Sequence, residues 1–139
     1  MMMTLRHDDP VPSLLGLHHV ALTVRDREVS AEWYRQVLGF EELFREDSPT
    51  RLACVMRGPG GVVGFVQFVP ASDAPFDPHH LGLDHLAFAV PTRDEMDEWA
   101  SALDAAGVSH SGVADGGPGA ILNFKDPDGI ALALYWARD

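Results

Sequence analysis

Three side chains in this sequence are spaced so that they can act together on a metal ion or a small molecule: His19, Gln67 and His85. Imidazole nitrogens and an amide oxygen are neutral donors that bind divalent metals and also hydrogen-bond organic ligands. His19 lies in Leu17-His18-His19-Val20-Ala21-Leu22-Thr23-Val24. His85 lies 66 residues later in Leu83-Asp84-His85-Leu86-Ala87-Phe88-Ala89-Val90. Each stretch is followed at the same distance by a Glu-Trp pair, Glu32-Trp33 and Glu98-Trp99. This is the signature of an internal duplication. On the same offset Gln67 corresponds to Ala133, so positions 19, 67, 85 and 133 are expected to converge near a pseudo-twofold axis. Three carry a donor and Ala133 does not.

The elements that must hold them follow from periodicity. Leu17–Val24 alternates as a half-buried strand. Asp26 can cap a helix whose apolar stripe is Val29, Trp33 and Val37, and Gly39 ends it. Strands are expected at 41–45, 51–57 and 62–69, completing a βαβββ module over 14–69. Residues 70–82 are a proline-rich linker. The second module, 83–137, repeats the order. Its strand 83–90 leads to a Thr92-x-x-Glu95 capping box and a helix with Met96, Trp99, Ala100 and Leu103 as its stripe. Strands near 108–113, 120–125 and 130–136 follow, the last two joined by the Asp126-Pro127-Asp128-Gly129 turn. The fold class is therefore α+β, two tandem βαβββ modules in a curved, cup-shaped mixed sheet with helices outside. Residues 1–13 read as a disordered tail.

Alternation gives each expected strand a bulky face and a small one. Leu22, Phe88, Leu132 and Leu134 fall on the bulky face and should meet the helices. The other face carries His19, Ala21, Thr23, Phe65, Gln67, His85, Ala87, Ala133 and Tyr135. Small residues on a curved sheet leave a concavity, and a few convergent polar groups in it describe a ligand pocket. His18 falls on the helix side, and His79 and His80 on the linker. Trp33 and Trp99 are core residues. Cys54 reads as a small core residue, because no charged motif activates it.

Composition narrows the function. The chain has 139 residues, 46% of them hydrophobic, and a net charge of −11. That charge repels phosphates, which argues against nucleic acid and anionic membranes, and it is compatible with a cationic ligand. No apolar run is long enough to span a bilayer. One cysteine excludes an internal disulfide and fits a cytoplasmic location.

The two paired motifs, with Trp33-Tyr34-Arg35-Gln36-Val37-Leu38-Gly39-Phe40 after the first and Asp126-Pro127-Asp128-Gly129-Ile130-Ala131-Leu132-Ala133-Leu134 after the second, resemble the glyoxalase/bleomycin-resistance/dioxygenase group, the vicinal oxygen chelate superfamily. The resemblance covers residues 14–137. It implies a cup built from paired modules, often across a homodimer. In the metal enzymes of the group four ligands come from the first and last strands of each module, which by position are His19, Gln67, His85 and Ala133. The last strand there normally offers a glutamate. Ala131-Leu132-Ala133 has none, and Glu41, Glu42 and Glu46 are the remaining candidates for a general base.

Three functions are therefore expected to compete. The first is a metal-independent binding or resistance-type protein that holds a small molecule in the cup. The second is a lyase, isomerase or dioxygenase using Zn, Ni, Mn or Fe on His19, Gln67 and His85. The third is a protein that kept the fold and lost the site.

Overall fold

The computed structural model describes residues 10–139. The expected tail falls mostly on residues 1–9, which lie outside the described residues. The first module runs β1 (Val20–Thr23), α1 (Arg27–Leu38), β2 (Glu41–Ser48), β3 (Arg51–Gly58) and β4 (Gly61–Phe68). The second runs β5 (Leu86–Ala89), α2 (Arg93–Ala105), β6 (His110–Asp115), β7 (Gly119–Lys125) and β8 (Ala131–Ala137). Each module forms its own four-stranded sheet, in the orders β1-β4-β3-β2 and β5-β8-β7-β6. In both, the first strand pairs parallel with the last and the other pairings are antiparallel. The expected tandem βαβββ, α+β architecture is thus present, with two open sheets.

Local chemistry sets the helix ends. The Asp26 side chain accepts the backbone N–H groups of Glu28 and Val29, two donors that the first turn of α1 leaves without partners. Gly39 closes that helix at φ 76°, a conformation other residues adopt only at a cost. The Thr92 hydroxyl caps α2 by accepting the Glu95 N–H and donating to the Glu95 carboxylate. At the β7–β8 turn, Asp126 Oδ1 accepts the N–H groups of Asp128 and Ile130, and Gly129 takes φ 78°.

The buried face of α1 differs from the expected stripe. Val29 is 52% exposed, and Arg27, Ser30, Ala31, Tyr34 and Leu38 are buried instead. The reason is tertiary. Tyr34 packs on Phe65 at 4.5 Å and reaches across the module boundary, where its hydroxyl donates to Asp126 at 2.8 Å. Trp33 stacks on Phe124 of β7 at 6.2 Å, and Phe40 meets Phe88 of β5 edge-on at 5.5 Å. One apolar core therefore joins the helix-facing sides of both sheets, and Leu22, Met56, Phe65, Met96, Leu103, Leu122 and Leu132 all sit in it. At roughly 1.5–3 kcal/mol for each fully buried large apolar side chain, this shared core is the main force holding the modules together.

Candidate functional site

The strand registers give both concave faces residue by residue. In the first module Ala21 pairs with Gly64 and Gly64 with Val55, while Val62 pairs with Arg57. His19 precedes Val20, the partner of Val63, so it falls beside Val62. In the second module Ala87 pairs with Ala133 and Ala133 with Asn123, while Ala131 pairs with Lys125. His85 precedes Leu86, the partner of Leu132, so it falls beside Ala131. The first row on each face is thus histidine, apolar residue, cation: His19-Val62-Arg57 and His85-Ala131-Lys125. The second is Ala21-Gly64-Val55 and Ala87-Ala133-Asn123.

Two residues expected on the concave side lie on the opposite one. Phe65 pairs with Leu22 and Cys54 and is fully buried against the helix. Gln67 shares its parity, and its Oε1 accepts the Arg27 N–H at 3.0 Å. The position equivalent to Ala133 is therefore Gly64, and the 66-residue offset between Gln67 and Ala133 does not survive in the register. The second module is three residues longer between its first and last strands (Ala87 to Ala133 against Ala21 to Gly64), two of them before β7 and one at the β7–β8 turn, and an odd shift moves a side chain to the other face. A Cβ on Gly64 would stand 3.8 Å from the Ala21 Cβ and 4.0 Å from Val55 Cγ2, so position 64 shares the face of Ala21 and Val55. His19, Ala21, Thr23, His85, Ala87, Ala133 and Tyr135 keep the concave parity.

The histidines occupy different surroundings. His85 borders a groove of about 1020 Å³, together with Ser111, Ile121, Asn123, Lys125 and Ala131. Its Nδ1 lies 2.7 Å from Asp84 Oδ1, so the proton is on Nδ1 and Nε2 is free. His19 borders a smaller cavity of about 290 Å³ with Phe40, Ala87 and Ala89, and its Nδ1 is 2.9 Å from that of His18. Neither cavity is lined by both. The linker residues His79 and His80 turn to Asp77 at the surface.

These donors do not fit a metal within one chain. Each concave face supplies one imidazole, and Gly64 and Ala133 supply nothing. Among the described residues there is no group of three or more His, Cys, Asp or Glu able to hold an ion. The three glutamates considered as bases are exposed on β2, and Glu42 is held below the usual carboxylate range by hydrogen bonds from Cys54 and Arg45. Cys54 is buried, and burial, followed by its bond to Glu42, pushes its thiol up to about 12. It is no nucleophile at neutral pH.

Residues that sequence reasoning passed over are Arg57, Gly64, Asn123 and Lys125. The signal for the last two was present in the alternation Ile121-Leu122-Asn123-Phe124-Lys125, which puts Leu122 and Phe124 inside and Asn123 and Lys125 on the concave side.

Comparison with known proteins agrees with the fold. Residues 16–134 match the family described as Glyoxalase/Bleomycin resistance protein/Dioxygenase superfamily. The putative ring-cleaving dioxygenase MhqA of Bacillus subtilis is 30% identical over 125 residues, which are 88% of this chain and 40% of MhqA. The chain thus spans well under half of that relative. The uncharacterized protein YaeR of Escherichia coli is also 30% identical, over 88% of this chain and 98% of its own length. The crystal structure of a glyoxylase/bleomycin resistance protein/dioxygenase domain from Frankia superposes with a TM-score of 0.85 at 33% identity, covering 91% of this chain and 95% of that one. With its duplicated βαβββ modules and the family match over most of its length, the chain belongs to the glyoxalase/bleomycin resistance protein/dioxygenase superfamily.

Proposed function

We propose that this chain is a metal-independent, small-molecule-binding member of the superfamily, of the sequestering or resistance type. The observation that carries the reading is the pair of donorless residues, Gly64 and Ala133, at matching positions of the two last strands. With a glycine and an alanine there, the last strands offer a divalent ion no ligand, and the carboxylates that share the first module's concave parity, Glu41 and Glu46, stand on β2, three strands away from β1. What remains is a floor of small residues with polar groups at its margin, which suits an organic ligand. We further propose that two chains pair so that concave faces from different copies meet. Exposed Leu43, Phe44 and Phe68 on the first module's sheet and its margin support that arrangement. No helix among the described residues is long and apolar enough to cross a membrane, and a cytoplasmic location fits the single, unpaired cysteine.

A second reading keeps one observation in its favour. His85 has the Nδ1–carboxylate partner that commonly orients a metal-binding imidazole, and His19 stands at the equivalent position. In that reading the chain is a divalent-metal lyase, isomerase or dioxygenase whose remaining ligands come from substrate and water.

Anaerobic calorimetry with Ni²⁺, Zn²⁺, Mn²⁺ and Fe²⁺ separates the two, run beside sedimentation, which reads a dimer directly. The first reading expects no stoichiometric site. Tight binding at one ion per chain, lost in His85→Ala, would sink it and install the second.

A further inference from the structure

The net charge of −11 points to a cationic ligand, yet the cations on the concave faces point the other way. Lys125 is the chain's one lysine, in a sequence with 21 Asp and Glu. Arg27, Arg35, Arg45 and Arg93 all form ion pairs. Lys125 forms none among the described residues, and neither does Arg57, its equivalent in the first module. Two cations outside the ion pairs thus stand at matching register positions, each in a row with a histidine; Arg57 has Glu41 across from it on β2, whereas among the described residues no carboxylate is registered across from Lys125.

We propose that the concave face of the second module binds a small organic oxyanion, a carboxylate or phosphonate carried on an apolar body, through Lys125 with Asn123 and His85 beside it. The inference rests on the reading of this face as a small-molecule site. The row His85-Ala131-Lys125 spans two strand spacings, about 10 Å, with only the Ala131 methyl between the two long side chains. An oxyanion over Ala131 meets the Lys125 ammonium from one side, and the Asn123 amide stands one row further along; His85, with its proton on Nδ1, flanks the site and offers Nε2 only as an acceptor for a water or a hydroxyl of the ligand. An ammonium offers three donors and an amide two, enough for the several lone pairs of an oxyanion. Beyond Asn123 the face turns apolar at Ile121, Tyr135 and Ala89, where the body of the ligand would lie. The groove, about 1020 Å³, takes in the His85, Asn123, Lys125 and Ile121 part of this face.

Two carboxylates border the groove, and both are already engaged. Asp84 is turned to His85 Nδ1. Asp126 is buried, with Tyr34 and the N–H groups of Asp128 and Ile130 on its oxygens. The acidity of the whole chain therefore does not describe this face, where the one unengaged charge is positive.

The test is a ¹⁵N NMR titration of the full chain with benzoate, phenylphosphonate, benzamide and benzylamine, repeated on Lys125→Met and Lys125→Arg. Each spectrum also reports whether the variant is folded. The expected result is that one or both anions shift the amides of His85, Asn123 and Lys125 and bind about tenfold tighter than benzamide. The preference is lost in Lys125→Met and kept in Lys125→Arg. Whichever anion binds tighter tells carboxylate from phosphonate. Anions no tighter than benzamide, or equally tight in Lys125→Met, would overturn the inference. Preferred binding of benzylamine or benzamide at the same amides would overturn it too, while leaving the small-molecule site standing. If no probe moves any concave residue, both fall.

Discussion

The two modules have one topology and two different floors. On the convex side the rows Leu22-Phe65-Cys54 and Phe88-Leu134-Leu122 are apolar in both, because they fill a single core. On the concave side Val55 in the first module is matched by Asn123 in the second, and Thr23 by Ala89. The larger groove lies along the second module, with Trp33 as its one wall from the first. A convex substitution is felt by both modules at once, since α1 packs against β7 and the β7–β8 turn through Trp33 and Tyr34. A concave one is felt by solvent or by a ligand. Duplication has therefore kept one face and left the other free to differentiate.

The largest expected effect tests whether the convex rows really share one core. Leu122 and Cys54 are equivalent and both fully buried, but they differ in volume. Leu122→Ala should cost about 2–5 kcal/mol in urea unfolding, and Cys54→Ala about 1 kcal/mol or less, in one cooperative transition. Two separate transitions would mean that the modules fold independently.

An intermediate effect concerns the link between them. Tyr34→Phe leaves the buried Asp126 carboxylate one donor short and should cost about 1–3 kcal/mol. Burial raises the Asp126 carboxyl above its usual range, and the Tyr34 hydroxyl opposes that rise. The hydroxyl favours the ionised form, so the penalty belongs to the ionised carboxylate. It should be largest above the raised pKa and shrink as pH falls towards the ordinary aspartate value of about 3.9. Unfolding of both proteins between pH 4 and 8 checks this, and a pH-independent penalty would remove Asp126 as the partner.

The smallest effect is a rate. With burial and the Glu42 carboxylate pushing its thiol up to about 12, Cys54 should stay unmodified by a disulfide reagent at pH 8 until the chain is unfolded. Prompt labelling of the native protein would show that the first module opens locally and is the looser of the two.

The duplication, the order of elements, the caps at Asp26 and Thr92 and the turn at Asp126 were legible in the chain, because each is written in residues close together. So were His19 and His85, which lie on first strands that repeat without insertion. Gln67 and Phe65 were misplaced, because the face of β4 depends on its pairing with β1, whose partners lie 43 residues apart across helix, strands and turns, and a shift of three residues reverses it. The stripe of α1 was misread by one residue for a related reason. Periodicity marks an apolar helix face, but Tyr34 and not Val29 turns inward, since it alone can reach both Phe65 and Asp126.

By itself the sequence determined the two βαβββ modules and the apolar alternation that sends one side of each strand to a core, since these follow from side chains a few residues apart. Only the tertiary structure decided that Gly64 and Ala133 are the matching positions, that the two histidines stand in separate cavities, and that Lys125 shares a row with His85. Those depend on strand register, which backbone hydrogen bonds between distant segments set and no local pattern records.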